Sequence, residues 1–271
     1  MYSSYLSAAA EIAREAGALL ARYFERRVAV EYKGDYDLVT EADRASESLV
    51  VDRLGARFPS HSVVAEEGSG TRRASEYTWY VDPLDGTTNF AHSFPMFAVT
   101  LALEHAGRLA AGVVYDPVRD EMFTVQKHQG ACLNNRRIHV SRVSRLAESL
   151  LATGFPSHKR HKDVNVYFYH QAAMLAHGVR RAGSASLDLC YVACGRLDGF
   201  WEFRLNPWDM AAGLLLIAEA GGRYTDMRGG PHRLEGPELA ASNGLIHDEM
   251  IALFADVFAN RPRIPLPTIS P

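Results

Sequence analysis

Carboxylates collect in this chain where apolar, strand-like runs end and where helices begin. Val63-Val64-Ala65 leads straight into Glu66-Glu67-Gly68, and Trp79-Tyr80-Val81 into Asp82-Pro83-Leu84-Asp85-Gly86-Thr87-Thr88-Asn89-Phe90. Asp43 and Asp209 each fall in the first turn of a predicted helix. Carboxylates brought to one point repel each other and destabilise a fold unless a cation neutralises them. Oxygen donors without a matching His or Cys set suit hard Mg²⁺ better than zinc or copper. The Asp82–Phe90 segment also offers an anion site. Asp82, Asp85 and the Leu84 carbonyl can face one point, Gly86 lets the backbone approach a ligand closely, and Thr87-Thr88 expose amide donors at a helix start. An isolated Asp-Pro-x-Asp-Gly is an ordinary turn. Its coupling to Glu66-Glu67 and Trp208-Asp209 points instead to a metal-bridged phosphate site.

These residues need a frame. Ile12, Ala16, Leu19, Leu20 and Phe24 have helical spacing and predict a helix over Ala8–Arg27. A second helix is expected from Glu41 to about Phe58, with Thr40 as N-cap, Asp43 favouring its start and Pro59 ending it. Strand-like runs follow at His61–Ala65, Tyr77–Val81, Met96–Glu104, Ala111–Tyr115, Glu121–Gln126 and Arg137–Val140, with a hairpin turn at Gly107-Arg108. In Leu133-Asn134-Asn135-Arg136, Asn135 tolerates the left-handed backbone that a tight turn demands. The second half reads as a strand at Leu150–Thr153, helices over Val164–His177 and Ser186–Gly195, and a strand at Asp198–Phe203. Its last predicted helix has Asn206 as N-cap, Pro207 as first residue and an end near Gly221. Consecutive strands in the first half and irregular alternation after it predict a layered mixed α/β domain, not a doubly wound parallel sheet.

Composition bounds the rest. The 271 residues carry 29 Lys+Arg against 32 Asp+Glu, a formal net charge of −3, with 47% hydrophobic residues. That excludes a disordered chain and lacks the electrostatic footprint of a dedicated nucleic-acid binder. Cys132, Cys190 and Cys194 do not form a disulfide framework, and the last two read as buried small apolar side chains. Neither a secretory signal nor an apolar run long enough to span a bilayer is evident, so a cytoplasmic protein without a membrane partner is expected. The basic stretch Ser157–Lys162 reads as a solvated loop, and His92 as a residue that either backs the acidic segment or lies on the surface.

Three segments in the right order and spacing, Asp37–Asp43, Trp79–Phe90 and Trp208–Gly213 continuing through Glu219–Gly222, resemble the inositol monophosphatase family of Mg²⁺-dependent, lithium-sensitive phosphatases. The resemblance runs from the first helix to about Phe258. It implies an α-β-α-β-α sandwich of the sugar phosphatase type. It also implies one catalytic domain over residues 1–265, with lobes of about 1–145 and 146–265 and a tail at 266–271. Carried over by position, Glu66, Asp82 and the Leu84 carbonyl hold a first Mg²⁺, and Asp82, Asp85 and Asp209 a second. A third, weaker ion sits near Glu66, with Glu67 beside it. Thr87, backed by Asp43, orients and deprotonates the attacking water, with Glu66 also in the catalytic set. Gly86, Thr87 and Thr88 cradle phosphate, while Gly183, Ser184, Ala185, Glu202 and Asp209 face the substrate's hydroxyl-bearing ring. Lys33 resembles a basic residue on a loop that closes near the metals.

Thr87-Thr88-Asn89-Phe90 resembles the inositol-phosphate branch, and the Glu202 carboxylate suits a polyol. Phe200, Trp201 and Phe203 beside it read as core residues. The expected reaction is hydrolysis of inositol 1-phosphate without a covalent intermediate, inhibited by Li⁺ and by excess Mg²⁺. Fructose 1,6-bisphosphate, histidinol phosphate and adenosine 3′,5′-bisphosphate are alternative substrates. A rival class is a regulatory RNA- or protein-binding role on the same scaffold, carried by His158–Lys162 and Arg180-Arg181. A homodimer is implied by the resemblance. Asp85→Asn is expected to remove activity and leave the fold nearly intact, since it takes one charge from a repelling cluster.

Overall fold

In the computed structural model, which describes residues 2–26, 30–32, 38–155 and 163–266, the chain opens with helix α1 (Ser3–Arg26). Lys33 and the basic stretch Ser157–Lys162 up to its last residue lie outside the described residues, except that the chain resumes at Asp163. Strands β1 (Val30–Tyr32) and β2 (Leu38–Thr40) pair antiparallel and lead into α2 (Glu41–Arg57). Thr40 caps that helix, accepting from the Ala42 and Asp43 amides, while Asp43 accepts from the Thr40 amide in return.

A seven-stranded sheet follows, in the spatial order of the sequence: β3 (Ser62–Ala65), β4 (Tyr77–Asp85), β5 (Ala98–His105), β6 (Arg108–Asp116), β7 (Glu121–Gln126), β8 (Gly130–Leu133) and β9 (Arg136–Arg137). Only β3 and β4 are parallel; the other neighbours are antiparallel. The short helix α3 (Thr87–Ala91) sits between β4 and β5. The second half supplies β10 (Leu150–Thr153), α4 (Asn165–Leu175), β11 (Gly178–Arg180), α5 (Ala185–Ala193), β12 (Gly199–Phe203), α6 (Pro207–Glu219), β13 (Arg223–Thr225), β14 (Glu238–Ser242) and α7 (His247–Phe258). Its five strands are ordered β11-β10-β12-β14-β13.

Strand alternation sorts the side chains into three apolar seams. Trp79, Val81, Val99 and Leu101 face α1 and α2, meeting Ile12, Leu20, Val50 and Leu54. Tyr80, Ala98, Ala102 and Val114, on the opposite face, meet α5 and α6 through Leu189, Met210 and Leu214. These two helices also touch Phe200, Leu239 and Ala241 of the second sheet, so α6 is buried continuously from Met210 to Ile217. A helix covered on both sides must be apolar all round, which is how its sequence reads. Trp201, Phe203 and Ala240 point the other way and are covered by Phe168, Met250 and Phe254 of α4 and α7. The layers are therefore α-β-α-β-α, as the resemblance implied.

The sequence assigned no element to β1, β2, β11, β13, β14 or α7; among the elements it did assign, the differences are local. β4 runs on past Val81 to Asp85, because Pro83, which has no N–H to donate, is absorbed where the register to β5 shifts between Asp82 and Asp85. The run expected at Arg137–Val140 pairs only over Arg136–Arg137, after an unanticipated strand at Gly130–Leu133. Asn134 and Asn135 between them have φ of 48° and 63°, both left-handed, as this two-residue turn requires. Cys190 is buried and Cys194 half-buried, and both are free thiols. No helix among the described residues is long and apolar enough to cross a membrane.

One buried histidine makes the fold acid-sensitive. His247 is fully buried, with its ring nitrogens 2.9 Å from the hydroxyls of Thr225 and Ser242. Burial, reinforced by the Arg223 charge, lowers its pKa to about 4. Above its ordinary value near 6.5 both the folded and unfolded chains are neutral here, and the contribution to stability is complete. As pH falls through 6.5 the unfolded chain gains a proton that the folded chain resists, so stability declines until about pH 4. The loss is expected to approach about 2–3 kcal/mol. Urea melts of the wild type and His247→Gln between pH 7.5 and 4 measure it as a difference. Parallel curves for the two proteins would contradict it.

Candidate active site

Helix α2 carries the first part of the site on its buried face. Asp43, Ser46 and Glu47 are each at most 1% exposed, and each ties down a different loop. Asp43 Oδ1 accepts from the Thr87 hydroxyl at 2.9 Å, and its Oδ2 accepts from the Thr40 amide and hydroxyl. Ser46 donates to the Pro83 carbonyl at 2.8 Å. Glu47 accepts from the amides of Glu67 at 2.6 Å and Ser69 at 2.8 Å. This polar stripe fixes the end of β4 and the turn after β3 relative to each other.

Those two chain segments open onto a cavity of about 320 Å³. Glu66, Asp82, Leu84, Asp85, Gly86, Thr87 and Thr88 form one wall. Gly183, Ser184, Ala185, Glu202 and Asp209 form the other. The shift of register in β4 is what turns Asp82, Leu84 and Asp85 toward one space. Gly86 follows with φ of 97°, and a Cβ there would lie 2.9 Å from the Met96 carbonyl oxygen, so both backbone and space demand glycine. Beyond it Thr87 and Thr88 start α3, where main-chain N–H groups have no intrahelical partner and can hold an anion.

Asp85 joins the two walls. Its Oδ2 accepts from the Ser184 hydroxyl at 2.6 Å, the Ser186 amide at 2.8 Å and the Ser186 hydroxyl, all at the start of α5. Asn89 makes a second joint, its Nδ2 donating to the carbonyls of Met96 and Ala182, both at 2.8 Å. Asp209 lies in the first turn of α6 behind Pro207, and its Oδ2 accepts from the Asn206 amide at 2.7 Å.

The carboxyls resist ionisation together. Burial, then the charges of Glu66, Asp85 and Asp209, raises Asp82 well above the usual carboxylate range. Burial raises Asp85 against its serine hydrogen bonds. Asp209 is pushed up to about 8 by burial, opposed by the Asn206 amide and helped by Asp85 and Glu202. Glu202 also reaches about 8, through burial and then the charges of Asp188 and Asp85. Among the described residues no three His, Cys, Asp or Glu side chains stand in ligating array around one point. Asp82, Asp85 and Asp209 each lend an oxygen to a local donor instead. The donor set nonetheless fits Mg²⁺: crowded carboxyls and one main-chain carbonyl, all oxygen, around one polar space.

Two of the expected site residues stand apart from the cavity wall. Asp43 lies behind Thr87 and accepts from its hydroxyl. Glu67 does not line the cavity; its amide is turned to Glu47 while its neighbour Glu66 faces inward. His92 is exposed, in the surface place of the two expected for it. Arg181, Asp188 and Gly154 line the cavity without having been singled out for it, and Ser46, Glu47 and Ser186 support it. The spacing Asp43, Ser46, Glu47 on one helical face was a legible signal, since polar residues on the side that also carries Val50 and Leu54 must find partners inside.

The same architecture occurs in known proteins. The model of the inositol monophosphatase family matches residues 1–258. The chain is 46% identical to the protein named Nus factor SuhB of Pseudomonas aeruginosa over 246 residues, 88% of this chain and 91% of that one. It is 42% identical to the inositol-1-monophosphatase of Mesorhizobium japonicum, over 92% of this chain and 95% of that one. The solved structure of an inositol monophosphatase from Anabaena superposes with a TM-score of 0.84 at 40% identity, covering 95% and 96% of the two chains. A match that spans both sheets and both walls of the cavity leaves one conclusion: the chain belongs to the inositol monophosphatase family.

Proposed function

We propose that this protein hydrolyses the phosphate monoester of a small polyol, inositol 1-phosphate foremost, in a Mg²⁺-dependent reaction without a covalent intermediate. The observation that carries the reading is the meeting of Glu66, Asp82, Asp85 and Asp209 with the start of α3 on one cavity. Glu66, Asp82 and the Leu84 carbonyl would hold one ion, and Asp82, Asp85 and Asp209 a second. A third would sit near Glu66 on the side of Glu67. When bound, Mg²⁺ supplies charge stabilisation to the phosphoryl group and lowers the pKa of water.

The protein's own groups do the rest. The Thr87 hydroxyl donates to the Asp43 carboxylate, with the Leu84 carbonyl also in reach, and keeps lone pairs for the attacking water; as it takes up the water's proton, its own passes to Asp43. Asp43 is pinned through its other oxygen by Thr40, so the Thr87 hydroxyl is held in one orientation. Main-chain N–H groups of Gly86, Thr87 and Thr88 receive the phosphate oxygens. On the opposite wall Glu202 accepts from ring hydroxyls, beside the Gly183–Ala185 turn and Asp209. A single catalytic domain over residues 1–265, a homodimer, a cytoplasmic location and inhibition by Li⁺ belong to the same proposal.

Phosphate release by the purified protein from inositol 1-phosphate, fructose 1,6-bisphosphate, histidinol phosphate and adenosine 3′,5′-bisphosphate tests it. The highest kcat/KM is expected with inositol 1-phosphate, and only with Mg²⁺ present. No Mg²⁺-stimulated turnover of any of the four would sink the reading as an enzyme. The name Nus factor borne by the Pseudomonas aeruginosa relative favours a second reading, a regulatory RNA- or protein-binding role on the same scaffold. Such a role alone gives no chemical reason to keep Glu66, Asp82, Asp85 and Asp209 around one cavity.

A further inference from the structure

We infer that Gly154 is a positioning residue: its bare Cα seats the Glu202 carboxyl and thereby sets the site's preference for a neutral, hydroxyl-bearing alcohol. The inference rests on the reading of Glu202 as the acceptor for substrate hydroxyls. Gly154 follows the last residue of β10, and Glu202 lies on the neighbouring strand β12, one residue past the Thr153–Trp201 pair. The three nearest atoms a Cβ at position 154 would meet all belong to the Glu202 carboxyl, at 2.2 Å for both oxygens and 2.3 Å for the carbon. The carboxyl therefore occupies the space of the missing side chain.

Charge does not bring it there. Asp188 and Asp85 repel Glu202, and the attracting group is Arg181, which is itself exposed and donates to the Phe155 carbonyl at 3.3 Å. The seat, by contrast, is stapled. Asn165 Nδ2 donates to the Gly154 carbonyl at 2.7 Å, the Thr153 hydroxyl donates to the Trp201 carbonyl at 2.6 Å, and Trp201 Nε1 donates to Asn165 Oδ1 at 2.6 Å. A methyl at position 154 is thus carried on a fixed backbone and meets the end of a flexible side chain. The side chain gives way. Gly154 is not in the left-handed region, so alanine meets no left-handed strain there.

Asp188 adds the electrostatic half of the selection. It is 2% exposed, lines the cavity, and its Oδ1 has no hydrogen-bond partner. With Glu202 on its seat, two buried carboxyls that already resist ionisation stand at the leaving-group end, where hydroxyls can pair with them and a second anionic group would find no cation beside them except the exposed Arg181.

A double-mutant cycle with inositol 1-phosphate tests the inference. Gly154→Ala is expected to raise KM about tenfold, the value of one good hydrogen bond, with a much smaller change in kcat and an unchanged melting temperature. In a Glu202→Ala background, which itself raises KM, the alanine at 154 should add nothing, since the group it displaces is gone. If Glu202→Ala raises KM while Gly154→Ala alone does not, the positioning role is overturned and the reading of Glu202 stands. A Gly154→Ala effect that persists without Glu202 also overturns the positioning role. If Glu202→Ala leaves KM unchanged, the reading of Glu202 falls, and the inference with it.

Discussion

Asp82→Asn is expected to lower Mg²⁺-dependent phosphate release by on the order of 10³-fold while making the metal-free protein more stable. Asp82 is 2% exposed, and Glu66, Asp85 and Asp209 all oppose its charge. Asparagine keeps the oxygen that accepts from the Leu84 amide at 2.9 Å. Its Nδ2 can donate to Glu66, where two carboxyls must otherwise share a proton. The substitution therefore removes a buried repulsion without opening a hole. It also removes the one carboxylate proposed to serve both main cations, so the stabilisation normally gained from Mg²⁺ should shrink with the activity. Each kcal/mol of repulsion relieved should raise the melting temperature in chelator by about 2–4 °C. Turnover near the wild-type rate would contradict the bridging role. A lower melting temperature in chelator would contradict the electrostatic account.

Asp85→Asn should lose activity to a similar degree but change stability in the opposite direction. From the sequence alone this substitution looked harmless to the fold, as one charge fewer in a repelling set. The structure gives Asp85 a second duty, because three donors at the start of α5 converge on its Oδ2. A neutral amide oxygen accepts such bonds about half as strongly as a carboxylate. The start of α5 also loses a favourable negative charge. The expected cost is about 1–2 kcal/mol in urea melts, localised to the contact between the two walls of the cavity. Faster amide exchange at Ser186 and its neighbours than in Asp82→Asn would report that localisation. Equal stability of the two variants would show that the serine contacts contribute little.

How far the sequence reaches differs from residue to residue. Asp82, Asp85 and Thr87 were legible because a short stretch of chain holds them near one another whatever the rest does. Asp209 was legible because Asn206 and Pro207 mark the start of its helix. The spacing of Ser46 and Glu47 marks them as polar residues on a buried helical face, but not what they hold: their partners, Pro83 and the 67–69 turn, are distant in sequence and adjacent only after α2 packs on the first sheet. The sequence ends β4 at Val81, four residues short, for a related reason. Pro83 argues against a strand locally, and only pairing with β5 shows that a shift of register accommodates it.

By itself the sequence determined which residue types could do chemistry, the periodicities that make the layers, and the family to which the three segments point. Local spacing and alternation act through neighbours along the chain, so they are written in it directly. Only the tertiary structure decided that Glu66 faces the cavity while Glu67 does not line it. It alone decided that Asp85 is also a structural tie between the walls, and that a glycine at 154 provides the seat for a carboxylate 48 positions later. These are facts about packing between strands and helices far apart in sequence, where the position of a carboxyl is set by what stands across the cavity from it.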